Sequence, residues 1–353
     1  MSYMLEETRQ QPETLTRILE HGLRAIRALT ARFRGGRPRF IIIAARGTSD
    51  NAAQFGRYLI EITTGIPVSL AAPSIATLYH SHMDLRETLV VGISQSGEST
   101  DTNAVLAAAG ERGAVTVGIT NEARSAMARM ADHALLVRAG KEKSVAATKT
   151  YTGQLLLLYL LAAALGGSVQ ADHLKRVPDW VAAALRSERQ IAGMVERYRF
   201  MTGTVTVGRG LNYANALEFR LKLMETCYVL AEGFSAADLM HGPIALVERG
   251  FPVFVFAPPG PTRPSIAAVL DRLAALKAET VVIGEASAAA SHPHARLIQM
   301  PPSPRAGSRK RPLDLYTPIP YIVPAQLFAA HLAEARGLDP DRPRTLSKIT
   351  RTM

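Results

Sequence analysis

Phe40-Ile-Ile-Ile-Ala-Ala-Arg-Gly47 is a short unbroken apolar run that ends on Arg-Gly. A strand buried on both faces of a helix-covered parallel sheet has this profile, and the glycine permits a tight turn out of it. Further runs come at Ile66–Leu70, Leu89–Ile93, Val115–Ile119 and His133–Val137, with intervals long enough to hold helices. Strand alternating with helix predicts a doubly wound α/β layer. Upstream, residues 1–35 read as helix, with Leu15, Ile18, Leu19, Leu23, Ile26 and Leu29 at helical spacing and a Gly-Gly-Arg-Pro stop at 35–38. Downstream, the eleven apolar residues Leu155–Leu165 fall short of the about 20 a membrane-spanning helix needs, so they read as a buried helix.

The chain then starts again. Ala45-Arg-Gly47 has a counterpart in Gly208-Arg-Gly210, each after a β-branched run. Fifty residues past Gly47, Val90–Ile93 leads into Ser94-Gln-Ser-Gly97, and fifty past Gly210, Val253–Phe256 leads into Ala257-Pro-Pro-Gly260. A third strand recurs as Thr280–Ile283 against Val115–Ile119. The expectation is an N-terminal helix (1–35), two α/β domains of similar topology at 36–167 and 199–338, a helical connector at 168–198 containing Trp180, and a tail at 339–353. A length of 353 residues suits two domains at about 150 residues each.

Composition excludes several classes. With 47% hydrophobic and 20% charged residues the chain is globular, and its Gly and Pro follow no period. A single cysteine, Cys227, excludes a disulfide framework or a thiolate metal cluster and suits the cytosol. The opening MSYMLEETRQQ does not read as a secretory signal, because no apolar stretch follows a basic start, so none is expected. A net charge of +11 favours anionic partners. The basic residues are scattered, with one tight run at Arg309-Lys310-Arg311 and no interleaved aromatics, which speaks against nucleic acid.

In open α/β sheets ligands bind beyond the carboxyl ends of the strands. Ser94-Gln-Ser-Gly-Glu-Ser-Thr100 falls there, turning at Gly97 into a helix through Asp101-Thr-Asn-Ala104. Helix N–H groups and hydroxyls together can surround a phosphate without a metal; the alternative is a serine-rich cap and turn. The second domain has Pro258 and Pro259 where the first has Gln95 and Ser96, which predicts one anion site per chain. In the loop after the first strand, Ser49 either caps the next helix or touches substrate, and the cap is the default. Glu218, Lys222 and Glu225 share one helical face, either an exposed ion-pair ladder or a partly buried acid–base group. Glu232 is a further acid, and His241 precedes a Gly-Pro break, where it is either a loop histidine or a proton-transfer group. Lys348, one of only eight lysines, lies five residues from the end in the tail Asp339-Pro-Asp-Arg-Pro-Arg-Thr-Leu-Ser-Lys348, with Leu346 and Ile349 as apolar anchors. It is either part of a mobile terminus or, in a closed pocket, a Schiff-base amine.

The phrases SQSGESTDT (94–102), GKEKSVAATKT (140–150), ALEFRLKLMETCYVLAEGFSAADLMHGPIAL (216–246) and DPDRPRTLSKIT (339–350) resemble the isomerase half of glucosamine-6-phosphate synthase, a tandem pair of sugar-isomerase (SIS) domains. The resemblance runs over nearly the whole chain and implies two doubly wound SIS domains, each a mostly parallel sheet flanked by helices. It implies that Ser94, Gln95, Ser96 and Ser99 hold the sugar phosphate and that Ser49, Val145 and Ala147 line the sugar site. It makes Glu225 the base moving a proton between C1 and C2, with Lys222 and Glu218 beside it. His241 opens the ring in the neighbouring subunit's site, implying a homodimer, and Lys348 forms the Schiff base on a tail that closes over the substrate. No metal or organic cofactor is implied, and no membrane. The resemblance does not extend to the glutaminase domain of the synthase, which is expected to be absent, and Ala147 and Ser347 stand where the family commonly has Ser and Ala.

These readings converge on an enzyme interconverting glucosamine 6-phosphate with fructose 6-phosphate and ammonia. The rivals are a fructosamine-6-phosphate deglycase, an isomerase subunit fed with nitrogen by a partner, and a non-catalytic phosphosugar sensor. Glu225, His241 and Lys348 together speak against the sensor, since binding a phosphate needs none of them. The stretch Pro301–Pro312 reads only as an exposed basic loop.

Overall fold

The unbroken apolar runs become strands because helices cover both faces of each sheet. A computed structural model describes residues 2–33, 36–302 and 313–348, with the side chains of 23–28 and 32 left aside. The first half comprises α1 (Tyr3–Arg9), α2 (Gln11–Arg32), β1 (Phe40–Ala44), α3 (Thr48–Thr64), β2 (Val68–Leu70), α4 (Ser74–Thr77), β3 (Thr88–Ile93), α5 (Thr100–Glu111), β4 (Val115–Thr120), α6 (Ala126–Met130), β5 (His133–Leu136) and α7 (Lys149–Ala164). Helices α8 (Ala171–Lys175), α9 (Val177–Leu185) and α10 (Glu188–Met194) come next. The second half comprises β6 (Gly203–Gly208), α11 (Tyr213–Cys227), β7 (Leu230–Ser235), α12 (Ala236–Met240), β8 (Pro252–Ala257), α13 (Arg263–Ala275), β9 (Glu279–Gly284), β10 (Arg296–Gln299) and α14 (Pro318–Ala335).

Both sheets are five-stranded and wholly parallel. The first runs β2-β1-β3-β4-β5 and the second β10-β9-β8-β6-β7. Read from its own first strand, the second repeats the order of the first, so the internal repeat seen in the sequence is a duplication of topology. The two Arg-Gly turns match in backbone as well: Gly47 has φ +57° and Gly210 φ +58°, values L side chains rarely adopt.

Among the described residues the chain forms two compact units. One holds 13–142, 147–175 and 345–348, with the first sheet; the other holds 2–12, 143–146 and 176–344, with the second. In the first unit, α7 is buried on nearly every side, as the apolar run predicts. In the second, Phe219, Phe254, Phe256 and Phe328 pack edge to face with centroids 4.9–6.3 Å apart, joining α11, β8 and α14. Residues 1–35 do not form one helix. Pro12, which has no N–H to continue the ladder from α1, opens the first turn of α2. The N-terminus of α1 is held by Asp341, which accepts from the Tyr3 and Met4 N–H groups at 2.7 and 2.8 Å. Within the basic stretch, residues 303–312 lie outside the described residues, as does Ile349. Among the described residues no helix is long and apolar enough to cross a membrane.

Candidate active site

In the first unit β1 has β2 on one side and β3 on the other, so the strand order reverses at the β1/β3 boundary. A crevice opens beyond the strand ends at such a point, and the loops after β1 and β3 border it. Arg46, after β1, donates from Nη2 and Nε to Asp101 Oδ2 at 2.7 and 3.1 Å, tying that loop to the first turn of α5. The Ser94 N–H donates to the Ile119 carbonyl at 3.0 Å, fixing the second loop on the end of β4. Gly97 has φ +66°, and a Cβ there would lie 2.1 Å from Ser125 Oγ, so only glycine fits the turn.

The hydroxyls are pre-set within this loop. Ser94 Oγ accepts from the Gly97 N–H at 3.1 Å and Ser96 Oγ from the Glu98 N–H at 3.2 Å. A hydroxyl that accepts still has its own O–H to donate. Ser99 is the N-cap of α5, yet its side chain caps no backbone N–H and meets Thr102 Oγ1 at 3.0 Å instead. Ser49 is not a cap either: Gly47 holds that position, and Ser49 lies inside α3 with its hydroxyl accepting from Gln154 Nε2 at 3.0 Å.

Gln95 and Ser96 line a polar cavity of about 380 Å³ together with Lys141, Glu142 and Lys348. Glu98, Glu122 and Arg124 also line it, so three carboxylates face three cations and the walls carry no net charge. Glu142 is fully buried, a site residue that the sequence reading does not single out. Its Oε1 accepts from the Thr148 and Thr150 N–H groups at 2.9 and 3.1 Å, and its Oε2 accepts from Thr150 Oγ1 at 2.7 Å and Lys348 Nζ at 2.9 Å. It thereby caps α7, where the helix dipole favours an anion. Burial alone would raise its pKa, but the charge of Lys348 and these hydrogen bonds outweigh it and hold the carboxyl below its ordinary value.

In the second unit, the face of α11 is no exposed ladder. Glu218 and Lys222 are buried, with side chains 0% and 1% exposed, and Glu225 is 23% exposed. Lys222 Nζ donates to Glu225 Oε2 at 2.6 Å and lies 3.5 Å from Glu218 Oε1. The half-exposed carboxylate of Glu225 therefore stands on a cation anchored from below. His241 ends α12 and is exposed, immediately before Gly242 with φ +132°. Val145 donates its N–H to the Asp341 carbonyl at 3.2 Å; it and Ala147 are half-buried. Glu232 pairs with Arg220 at 2.7 Å on the exposed side of β7, a surface ion pair rather than a site acid.

The pattern of the SIS domain matches residues 37–164 and again 204–333. The chain belongs to the SIS domain family. Its sequence is 38% identical over 309 residues to a glutamine–fructose-6-phosphate aminotransferase (isomerizing) of Methanothermobacter thermautotrophicus, covering 87% of this chain and 51% of that one. The chain thus spans about half the length of the curated relatives it matches, and it is homologous to their isomerase region. Among solved structures it resembles a protein of Silicibacter pomeroyi DSS-3 provisionally named a phosphosugar isomerase, at TM-score 0.84 and 32% identity over 97% of this chain and 100% of that one. It also resembles the C-terminal domain of the glucosamine-fructose-6-phosphate aminotransferase of Francisella tularensis, at TM-score 0.84 and 26% identity over 97% and 98%.

The first unit thus brings Gln95 and Ser96 of the first SIS domain and Lys348 of the tail to one cavity across more than two hundred residues of sequence. The sequence signal for Glu142 lies inside the phrase at 140–150, where the resemblance marks Val145 and Ala147 as sugar contacts and nothing local sets a buried acid apart from the lysines beside it.

Proposed function

We propose that this protein is a phosphosugar isomerase and deaminase that interconverts glucosamine 6-phosphate with fructose 6-phosphate and ammonia. The observation that carries the reading is the cavity in which the Lys348 amine faces the hydroxyl-rich loop at Gln95 and Ser96. A phosphate on the loop sets a sugar chain within reach of an amine, and a carbonyl carbon is what an amine attacks.

The steps balance with one water. His241 assists ring opening to the free aldehyde. Glu225 takes the proton from C2 and returns it to C1, leaving an imine at C2. Lys348 adds to C2 and expels ammonia, and water then hydrolyses the lysine Schiff base to give fructose 6-phosphate and the free amine. Lys222 holds the Glu225 carboxylate, and Glu218 anchors Lys222 from the buried side. Ser94, Gln95, Ser96 and Ser99 receive the phosphate, and Ser49, Val145 and Ala147 border the sugar. The exposure of His241 suits a residue that serves a second copy of the chain, and the working form is assigned as a homodimer.

Incubation with glucosamine 6-phosphate is expected to release ammonia and fructose 6-phosphate in equal amounts. Borohydride reduction with fructose 6-phosphate present is expected to attach a hexitol phosphate to Lys348. Turnover without that adduct would remove the Schiff base, and no ammonia would remove the deaminase. Mixing inactive His241→Ala and Lys348→Ala chains is expected to restore activity, because a mixed dimer has one site free of both lesions. Continued inactivity of verified mixed dimers would place both residues in the same subunit's site.

A further inference from the structure

The first unit holds a second cavity, about 110 Å³, that shares no lining residue with the polar one. Its floor is the sheet, where Ile42 of β1 stands beside Val90 of β3 in register. One wall is α5 with its C-cap, presenting Val105 and Ala108 of the helix and then Arg112 at spacings that share a face. Ile75 of α4 forms another. Four alanines, at 71, 72, 76 and 108, line it where larger aliphatic side chains would fill it. The space is left by the sequence itself.

One charged group borders this apolar space. Arg112 follows the last turn of α5, and its Nη1 is buried with no hydrogen-bond partner among the described residues. A guanidinium cannot shed its proton, and a buried donor left unpaired is costly. Both acids of the loop before β3 face other arginines: Asp84 accepts from Arg86 Nε at 2.9 Å and Nη2 at 2.5 Å, and Glu87 Oε2 lies 3.5 Å from Arg39 Nη1.

We propose that this cavity binds a small apolar monocarboxylate, with the carboxylate on Arg112 and the hydrocarbon between α4, α5 and the sheet. An apolar cavity of about 150 Å³ admits benzene; this one, at about 110 Å³, takes most of a single ring or of a chain of about six carbons, with the carboxylate end left at its rim on Arg112. A phosphosugar is excluded on chemical grounds, since its hydroxyls would lose water against aliphatic walls that return no hydrogen bonds.

Isothermal titration of the full chain with benzoate, hexanoate and the neutral isostere benzamide tests this. Benzoate or hexanoate is expected to saturate one site per chain, with benzamide weaker by about tenfold, the worth of one charge-assisted bond. Arg112→Gln is expected to weaken benzoate by a similar factor, and Ala108→Leu, which fills the space, to abolish it. Both are expected to bind glucosamine 6-phosphate as the parent does. Should Ala108→Leu fail to fold, Arg112→Gln and benzamide decide. The proposal fails if neither acid saturates below about 10 mM, a limit of about 2.7 kcal/mol. It fails equally if Arg112→Gln leaves benzoate affinity unchanged or if glucosamine 6-phosphate displaces benzoate competitively.

Discussion

A buried carboxylate that both caps a helix and pairs with a lysine ties the tail's chemistry to the fold. In Glu142→Gln an amide takes the place of a charged acceptor beside Lys348, so turnover of glucosamine 6-phosphate is expected to fall about tenfold or more while the chain stays folded. Unchanged turnover would make Glu142 a cap and nothing else. The pH dependence comes from the depressed carboxyl: the ion pair stabilises fully above the ordinary carboxylate range, and its contribution is lost as pH falls through the lower folded value. The stability gap between parent and Glu142→Gln, read by urea titration, is therefore expected to hold at neutral pH and to close in acid. On the loop, Ser96→Ala is expected to raise KM roughly tenfold, with kcat changed less, since one donor to a charged phosphate is lost. These residues are unequally legible in the sequence. Ser96 sits in a loop that announces itself as strand, glycine and helix start, whereas Glu142 depends on a lysine 206 positions away in sequence, and no local pattern carries that.

Helix α11 is visible in the sequence, but the meaning of its charged face is not. Spacing places Glu218, Lys222 and Glu225 together, and only the packing of β6, β7 and α14 around them separates a buried ion group from a surface ladder. A buried lysine held by two carboxylates predicts a steep penalty for truncation: Lys222→Ala is expected to cost about 3–5 kcal/mol of unfolding free energy, because two acids lose its compensating charge. Glu225→Gln keeps an acceptor at the partly exposed position, so it is expected to fold normally, retain phosphosugar binding and lose turnover. Preserved turnover would remove Glu225 as the base. The same distinction between buried and half-covered explains which strands are legible. Central β3 and β8 are buried throughout, and β4 is buried at all but its first residue. β7 alternates between buried and exposed, β10 is four residues long, and both stand at sheet edges where one unbroken apolar run is not required.

At the scale of the whole chain, two sheets of one topology raise the question of whether both could hold an anion, where the proposed reading uses one site. The loop after β8 answers it. Pro258 and Pro259 remove two N–H donors, and Gly260, at φ +111°, lies so near Asp314 that a Cβ would be 3.4 Å from Oδ1. That oxygen is buried and has no hydrogen-bond partner among the described residues, and burial pushes the Asp314 carboxyl up to about 6. A phosphate at this loop would face a carboxylate in place of donors, so titration with glucosamine 6-phosphate at pH 8 is expected to give one site per chain; two would refute the asymmetry. The same group sets a pH trend. A carboxyl raised in the folded state stabilises below its unfolded value near 3.8, and that contribution disappears as pH climbs through about 6. Asp314→Asn, which cannot ionise, is therefore expected to be more stable than the parent above pH 6, by at most about 3 kcal/mol, and to lose that advantage near pH 4. Urea midpoints measured across that interval decide it: a parent whose stability does not fall relative to Asp314→Asn as pH rises would mean that the carboxylate finds a partner in solution and that the second loop is not closed to anions by charge.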